Sequence, residues 1–405
     1  MAARVRISNY RGWGSRKIRK AWGLASCGSL VRRVYLLMEQ RFLKRTRALT
    51  LPSTVKVNTG YLCNLRCPHC PTGMMNAGHS PEGEIPRTSL TLDRARAIAA
   101  GLGGVHRIAL FGWGEPFLNR DIFDVIEFLK DLGKRIHIDS NLSFSSESLL
   151  HHIERAPIDV LSVSLDGADQ ESYGTYRVRG NFAAVIANMK RLAHAPDGPR
   201  RVEWQYIVSR KNVGQVARAR RMAQTIGVPF RAFDIGLYQD HFYNFTESER
   251  REWWTDDQEA AFARRNAASR SSVCSYMYDD PFIDIDGKVY PCCHAPHAPA
   301  HLLQNGFSNV FGNLATQTLR EIWNNGYYQH MRDRFAGRAP TCHELKPICL
   351  QCRVYLAAQG EPQDALPMFI RSHMQAGGSR PSFSKAPERR TPNVNAIVGE
   401  GEPCL

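Results

Sequence analysis

The sequence predicts an α/β fold: a partial (β/α)6 TIM-like barrel followed by a small C-terminal domain built around cysteines. Three observations carry this. Between Thr54 and Ile235, short extended apolar runs alternate with amphipathic stretches, the pattern of parallel strands joined by crossover helices. That region is well short of the roughly 250 residues of a closed eight-unit barrel, so one side should stay open. Seven of the 11 cysteines fall in two local groups, Cys63, Cys67, Cys70 and Cys292, Cys293, Cys349, Cys352, which in an intracellular chain of this length read as metal ligands before disulfides.

In chain order, residues 1–51 form a basic arm. It holds 13 of the 53 Lys and Arg against the single acid Glu39, so it contributes +12 of the formal +15 and leaves the body nearly neutral. Leu30, Val31, Val34, Leu37 and Met38 recur at helical spacing with Arg32, Arg33 and Arg41 beside them, an amphipathic helix. Its apolar face can pack on the body, lie on an anionic membrane surface or accompany nucleic acid. Packing is preferred because charge runs are usually solvated, and nucleic acid comes last because interleaved aromatics are sparse. Without a run of about 18 to 20 apolar residues or a signal block, the expected location is cytoplasmic, with peripheral contact at the inner face of the membrane as an option.

The barrel occupies 52–236. Its strands are T-V-K-V-N, H-R-I-A-L-F, R-I-H-I-D, D-V-L-S-V-S-L, R-V-E-W-Q-Y-I-V and P-F-R-A-F-D-I. Helices are expected over Leu92–Leu102, Ile122–Leu132, Ser146–Arg155, Phe182–Ala193 and Val213–Ile226. A polar connector follows at 237–273, a second cysteine module at 274–355, and a Pro-, Ser- and charge-rich tail at 356–405, expected to be largely flexible.

After the first strand comes C-N-L-R-C-P-H-C. Cys63, Cys67 and Cys70 can take three corners of a 4Fe-4S cube and leave the fourth iron open to an external chelate. A structural zinc site wants four ligands in paired spacing, and His69, between two cysteines, is poorly placed to be the fourth. The run resembles the signature of the radical S-adenosylmethionine (radical SAM) superfamily. The resemblance implies SAM bound to a 4Fe-4S cluster held by Cys63, Cys67 and Cys70.

Each later motif also follows a strand. F-G-W-G-E-P offers glycines at 112 and 114, which let backbone approach a ligand closely, and a carboxylate at Glu115. It resembles the G-G-E-P motif that receives the SAM amino group, with Trp113 in place of the second glycine. Asn141 in H-I-D-S-N-L matches the polar residue that closes the third strand in the family. Ser164 and Asp166 in S-V-S-L-D-G point into the barrel mouth by alternation, where the resemblance puts the SAM ribose. Y-R-V-R-G-N-F resembles the stretch supplying an Arg to the SAM carboxylate: Arg177, with Arg179 as the second choice.

The order Cys274, I-D-I-D-G-K-V-Y-P-C-C, F-G-N-L, L-R-E-I-W-N and P-I-C-L-Q-C resembles the SPASM or twitch domain of radical SAM enzymes. D-G supplies a hairpin turn that brings Cys274 near Cys292, and Cys349 and Cys352 complete four ligands for a second, auxiliary 4Fe-4S cluster in electron transfer. Zinc accepts the same four thiolates. The C-x2-C-x5-C-x3-C array of a two-cluster domain is missing, so Cys293 and Cys342 are left over. Cys342 could replace one predicted ligand; Cys293 is a buried bystander or, beside the active site, a hydrogen-atom donor. Cys27 and Cys404 have no evident partner.

The resemblance implies reductive cleavage of SAM to a 5′-deoxyadenosyl radical that takes hydrogen from a C-H bond, fed by a flavodoxin- or ferredoxin-type electron donor. The expected reaction is oxidation or epimerisation of a sugar- or aminocyclitol-type molecule, with a lipid-linked form as an option. A maturase acting on a ribosomal peptide or activating a sulfatase is the alternative, and an iron-sulfur scaffold or electron carrier is the non-enzymatic one.

Overall fold

The computed structural model describes residues 34, 38–78, 87–235, 247–260, 274–340 and 342–359. Six strands, β1 (Thr54–Val57), β2 (Arg107–Leu110), β3 (Arg135–Ser140), β4 (Val160–Ser164), β5 (Val202–Val208) and β6 (Phe230–Asp234), pair in parallel, each with the next in sequence. Between them lie α1 (Pro71–Asn76), α2 (Leu92–Ala100), α3 (Ile122–Asp131), α4 (Glu147–Arg155), α5 (Gln170–Tyr176), α6 (Phe182–His194) and α7 (Val216–Ile226). All six strands and the five long helices fall where the sequence places them. The short helices α1 and α5 are additions too brief to show a period; Pro71 at the first turn starts one, and the Asp169 side chain caps the other, as these residue types favour.

Strand alternation divides the barrel wall into two faces. Ile136 and Ile138 are fully buried toward the helices, as are Ile108, Leu110, Leu161 and Val163, each contributing about 1.5–3 kcal/mol of burial. The opposite face of β3 carries His137 and Asp139, both only half-buried. The barrel therefore has an apolar jacket and a polar lumen.

The C-terminal module is an extension of this sheet. After α8 (Glu247–Trp253), strand β7 (Phe282–Ile283) pairs in parallel with β1, and β8 (Lys288–Tyr290) and β9 (Gly312–Asn313) add antiparallel edges. The Asp286-Gly287 turn falls where expected, with Gly287 N–H donating to the Asp284 carbonyl at 2.9 Å. Asp284 then ties the hairpin to the root of the cysteine loop: its carboxylate accepts from Asn58 Nδ2 and from the Tyr61 hydroxyl, each at 2.8 Å and buried. The remaining helices are α9 (Ala300–Gln304), α10 (Leu319–Trp323), α11 (Gly326–Phe335) and α12 (Arg353–Gln359). A capping box between Thr318 and Glu321 starts α10.

Residues 39–51, assigned from sequence to the basic arm, are laced into the C-terminal module. Glu39 is fully buried, accepting from Leu49 N–H at 2.7 Å and Thr50 Oγ1 at 3.0 Å, and Ala48 exchanges hydrogen bonds with the Asn324 side chain. Of the predicted amphipathic stripe, Leu30, Val31 and Leu37 lie outside the described residues, while Val34 and Met38 are 50% and 45% exposed. Among the described residues no helix is long and apolar enough to cross a membrane.

Candidate active site

The loop after β1 sets Cys63, Cys67 and Cys70 at the strand ends, packed with Leu65, Tyr176, Ile235, Trp253 and Trp254. Backbone bonds fix it on two sides: Glu115 N–H donates to Leu62 O at 2.7 Å, and Arg66 N–H to Val178 O at 3.0 Å. Helix α1 packs directly on the loop. A Cβ at Gly73 would stand 2.3 Å from the Cys67 carbonyl, so only glycine fits, and Asn76 Nδ2 donates to the carbonyls of Cys63 and Leu65 at 2.9 and 3.0 Å. Neither residue belongs to the recognised motif. Pro71 directly behind the third cysteine signals that a helix can start there, but not which of its residues brace the loop.

These thiols do not ionise readily by themselves. Burial, the largest cause, pushes Cys63 up to about 12 and Cys67 up to about 11, and each thiol's charge would repel the others. Burial also raises Cys70. One buried and two half-buried sulfurs that oppose each other's ionisation call for a bound cation to hold them as thiolates, a role iron would fill. The protein helps: Arg177 Nη1 stands 4.0 Å from Cys67 Sγ, Leu65 N–H donates to Cys63 Sγ at 3.5 Å, and Asn141 Nδ2 is 4.0 Å from the same sulfur. The donor set fits an iron-sulfur cluster.

The residues assigned to SAM converge on this loop, and several are already engaged. Glu115 is buried; it accepts from Ser140 Oγ at 2.7 Å, Asn141 N–H at 2.8 Å and Phe117 N–H at 3.3 Å. Burial still outweighs these bonds and raises its carboxyl to about 7. Gly112 and Gly114 serve the chain's own packing first: a Cβ at 112 would lie 2.0 Å from Asn58 Oδ1, and one at 114 would lie 2.5 Å from Leu62 O. Asn141 spends its amide on Asn64 Oδ1 at 2.9 Å and accepts from Ser143 N–H, so it braces the cysteine loop. Ser164 sits half-buried at the lumen end of β4.

Asp166 departs from expectation. Its two oxygens accept from Arg177 Nε at 2.5 Å and Ile207 N–H at 2.6 Å; a fully buried carboxylate bonded in this way positions the arginine. Arg177 in turn is aimed at Cys67, while Arg179 is exposed with a left-handed backbone.

In the C-terminal module, Cys274, Cys292, Cys349 and Cys352 gather from three segments. Burial raises all of the first three, Cys274 to about 12, and each lies within charge reach of others in the set. Cys293, the residue after Cys292, has its sulfur 3.9 Å from the Tyr276 hydroxyl. The backbone carbonyl of Cys342 is hydrogen-bonded to His330. Among the described residues no three His, Cys, Asp or Glu close to the spacing of a single metal ion.

An open parallel barrel that presents three thiols at its strand ends, with a four-thiol module continuing its sheet, has the architecture of a two-site iron-sulfur enzyme. The chain belongs to the radical SAM superfamily, whose profile matches residues 57–196, and carries an iron-sulfur cluster-binding SPASM domain over residues 274–353. These domains take SAM with a 4Fe-4S cluster and auxiliary iron-sulfur centres. The chain is 24% identical over 348 residues to the AdoMet-dependent heme synthase of Methanosarcina barkeri, covering 76% of this chain and 93% of that one. It is 23% identical over 385 residues to the mycofactocin maturase MftC of Mycobacterium tuberculosis, covering 88% and 90%. The structure of Streptococcus suis SuiB bound to its precursor peptide SuiA shares the fold at a TM-score of 0.51 and 12% identity, over 80% of this chain and 74% of that one.

Proposed function

We propose that this radical SAM enzyme oxidises or epimerises a small polyhydroxylated molecule held in the barrel lumen, with SAM between that molecule and the cysteine loop. The observation that supports it most is the three-thiol set at the strand ends, directly over a polar, partly accessible lumen. Cys63, Cys67 and Cys70 would hold the SAM-binding cluster, and Cys274, Cys292, Cys349 and Cys352 the auxiliary one. The chemistry supplied by bound cluster and SAM is one-electron cleavage to a 5′-deoxyadenosyl radical that removes a hydrogen atom from carbon. The chain's part is positioning. Asp166 holds Arg177 against Cys67, Glu115 offers a carboxylate to the SAM ammonium, and Trp253 and Trp254 exclude water from the sulfurs. Anaerobic protein reconstituted with iron and sulfide and reduced with dithionite should release 5′-deoxyadenosine from SAM; intact clusters without release would leave an electron carrier.

Glu115 gives this a pH signature. Its carboxyl, raised to about 7 mainly by burial, must be ionised to attract an ammonium group, so SAM affinity should increase as pH rises through 7. The fold contribution has the opposite sign: it is complete below the ordinary value of 4.5 and is lost as pH rises to about 7, because the unfolded chain ionises first. Glu115→Gln should bind SAM roughly tenfold more weakly above neutrality, with a flat pH profile. Equilibrium binding on either side of neutrality decides it.

Epimerisation is favoured as the variant reaction by Cys293, whose thiol lies beside Tyr276 and Lys56. Its thiol would give a hydrogen atom to the substrate carbon radical. One electron from a flavodoxin- or ferredoxin-type donor and one solvent proton would then restore the thiol. In heavy water the inverted carbon should carry deuterium, and Cys293→Ser should abolish inversion; inversion surviving in that variant removes this reading. The similarity to a maturase supports a peptide or protein substrate as the alternative, which would appear as a mass change in a co-expressed peptide.

A further inference from the structure

The inner face of the barrel is polar, and its surfaces are open where the outer face is sealed. On β3 the outward Ile136 and Ile138 have no exposure, yet the side chains of the intervening His137 and Asp139 are 24% and 25% exposed. Ser164 and Gln205, aligned on β4 and β5, are also half-buried. Across the lumen, Lys56 of β1 stands 3.9 Å from Asp280, just before β7, with side-chain exposures of 13% and 40%.

The hydrogen bonds inside this space are incomplete in a specific way. Asp139 Oδ1 accepts from Gln205 Nε2 at 3.3 Å and faces His137 Nε2 at 3.0 Å, while Oδ2 has no partner among the described residues. Lys56 Nζ lies over the Tyr276 ring at 4.7 Å, and its ion-pair distance to Asp280 is longer than a hydrogen bond. A lone carboxylate oxygen, a second carboxylate and an ammonium group thus face the same space with donors and acceptors to spare. Hydroxyl groups, each able to donate and accept, satisfy such a mixture.

Charge narrows the ligand further. The cation Lys56 already feels both Asp280 and Asp139. At the floor, Glu203 is matched by Arg231 at 3.1 Å and Arg201 at 3.0 Å, and Arg107 is within charge reach of Asp280. Arg201 and Arg231 share Glu203 away from the open groups, and at the contacts themselves two carboxylates, Asp139 and Asp280, face the one ammonium of Lys56, so no surplus positive charge waits there for an anionic ligand. The partly exposed rings of Tyr276 and Phe111 can cover the flat C-H face of a ring.

We propose that the lumen binds a cyclic polyol, uncharged or amino-substituted, through Asp139, Asp280 and Lys56, and discriminates against carboxylated sugars. This rests on the small-molecule reading above and names its substrate class. The test is equilibrium dialysis of the anaerobic, cluster-loaded protein with SAM against labelled myo-inositol, glucosamine and glucuronate. The first two should be retained about tenfold better than glucuronate, and Asp139→Ala should weaken their retention about tenfold or more, the loss expected for a charged hydrogen bond. Lys56→Gln should do the same, guarding against a folding artefact in either variant, with iron content and circular dichroism matched to wild type. Retention of glucuronate above the others, no retention of any, or retention unchanged in both variants overturns the inference. The two readings fail separately. Polyol retention without 5′-deoxyadenosine release removes the radical function and keeps the lumen site; release without retention does the reverse.

Discussion

Cys67→Ala should lower 5′-deoxyadenosine release to background, a fall on the order of 10³-fold or more, equivalent to at least about 4 kcal/mol of barrier. Cys67 is the most enclosed of the three loop thiols, at 5% exposure, and the one against which Arg177 is braced by Asp166. Alanine leaves two sulfurs, too few to retain a cube, and an arginine pointed at a gap. The fold should survive, because the loop is held by backbone bonds from Glu115 and Arg66 and by the Asn76 side-chain amide, none of which involves the sulfur. Iron analysis should therefore show one cluster lost and the auxiliary centre kept. Release at wild-type rates would place the radical source elsewhere.

Arg332→Ala should cost about 3–5 kcal/mol of stability, the range for breaking a buried charged network, and should take the auxiliary iron with it. Arg332 is fully buried. Its guanidinium lies over the rings of Trp323, Tyr328 and Tyr278 at 5.0, 5.2 and 5.3 Å. It also donates to the carbonyls of Met277 and Trp323, both at 2.8 Å, and to Asn324 Oδ1 at 3.1 Å. Burial lowers its pKa only to about 10, so it remains a cation at neutral pH and each donated bond is charge-assisted. Alanine strands two carbonyls and opens a void beside Tyr328, whose ring neighbours Cys349, Cys292 and Cys274. Chemical denaturation and iron content measure the two effects. Arg332→Lys should recover only part, since one ammonium cannot reach acceptors placed for a planar fork. A loss below about 1 kcal/mol would mean the aromatic cage stands without its cation.

The cysteine loop and the six βα units are legible because their signals are local: a three-then-two spacing of thiols, and apolar alternation along short runs. The assignments that shift in the structure concern Asp166 and residues 39–51. Strand alternation correctly turns Asp166 toward the mouth but cannot say that Arg177 and the Ile207 amide, 11 and 41 positions away, claim its oxygens first. The acidic-poor composition of residues 1–50 reads as an arm, yet Thr46 and Ala48 are anchored to partners in the C-terminal module, Ala48 to the Asn324 side chain and Thr46 Oγ1 to Asp333 at a separation of 287 residues. Gly73 and Asn76 were hidden for a similar reason, since a six-residue helix leaves no period to read.

By itself the sequence determined which atoms are available for chemistry: the thiol spacing, the carboxylate and guanidinium after successive strands, and a barrel too short to close. Only the tertiary structure decided how those atoms are spent, because burial makes every charge seek a partner wherever the chain brings one near. It joined the second cysteine module to the barrel edge through Asp284, directed Arg177 to a sulfur, and left Asp139 and Lys56 facing open space. Those are consequences of long-range pairing, which no stretch of residues contains.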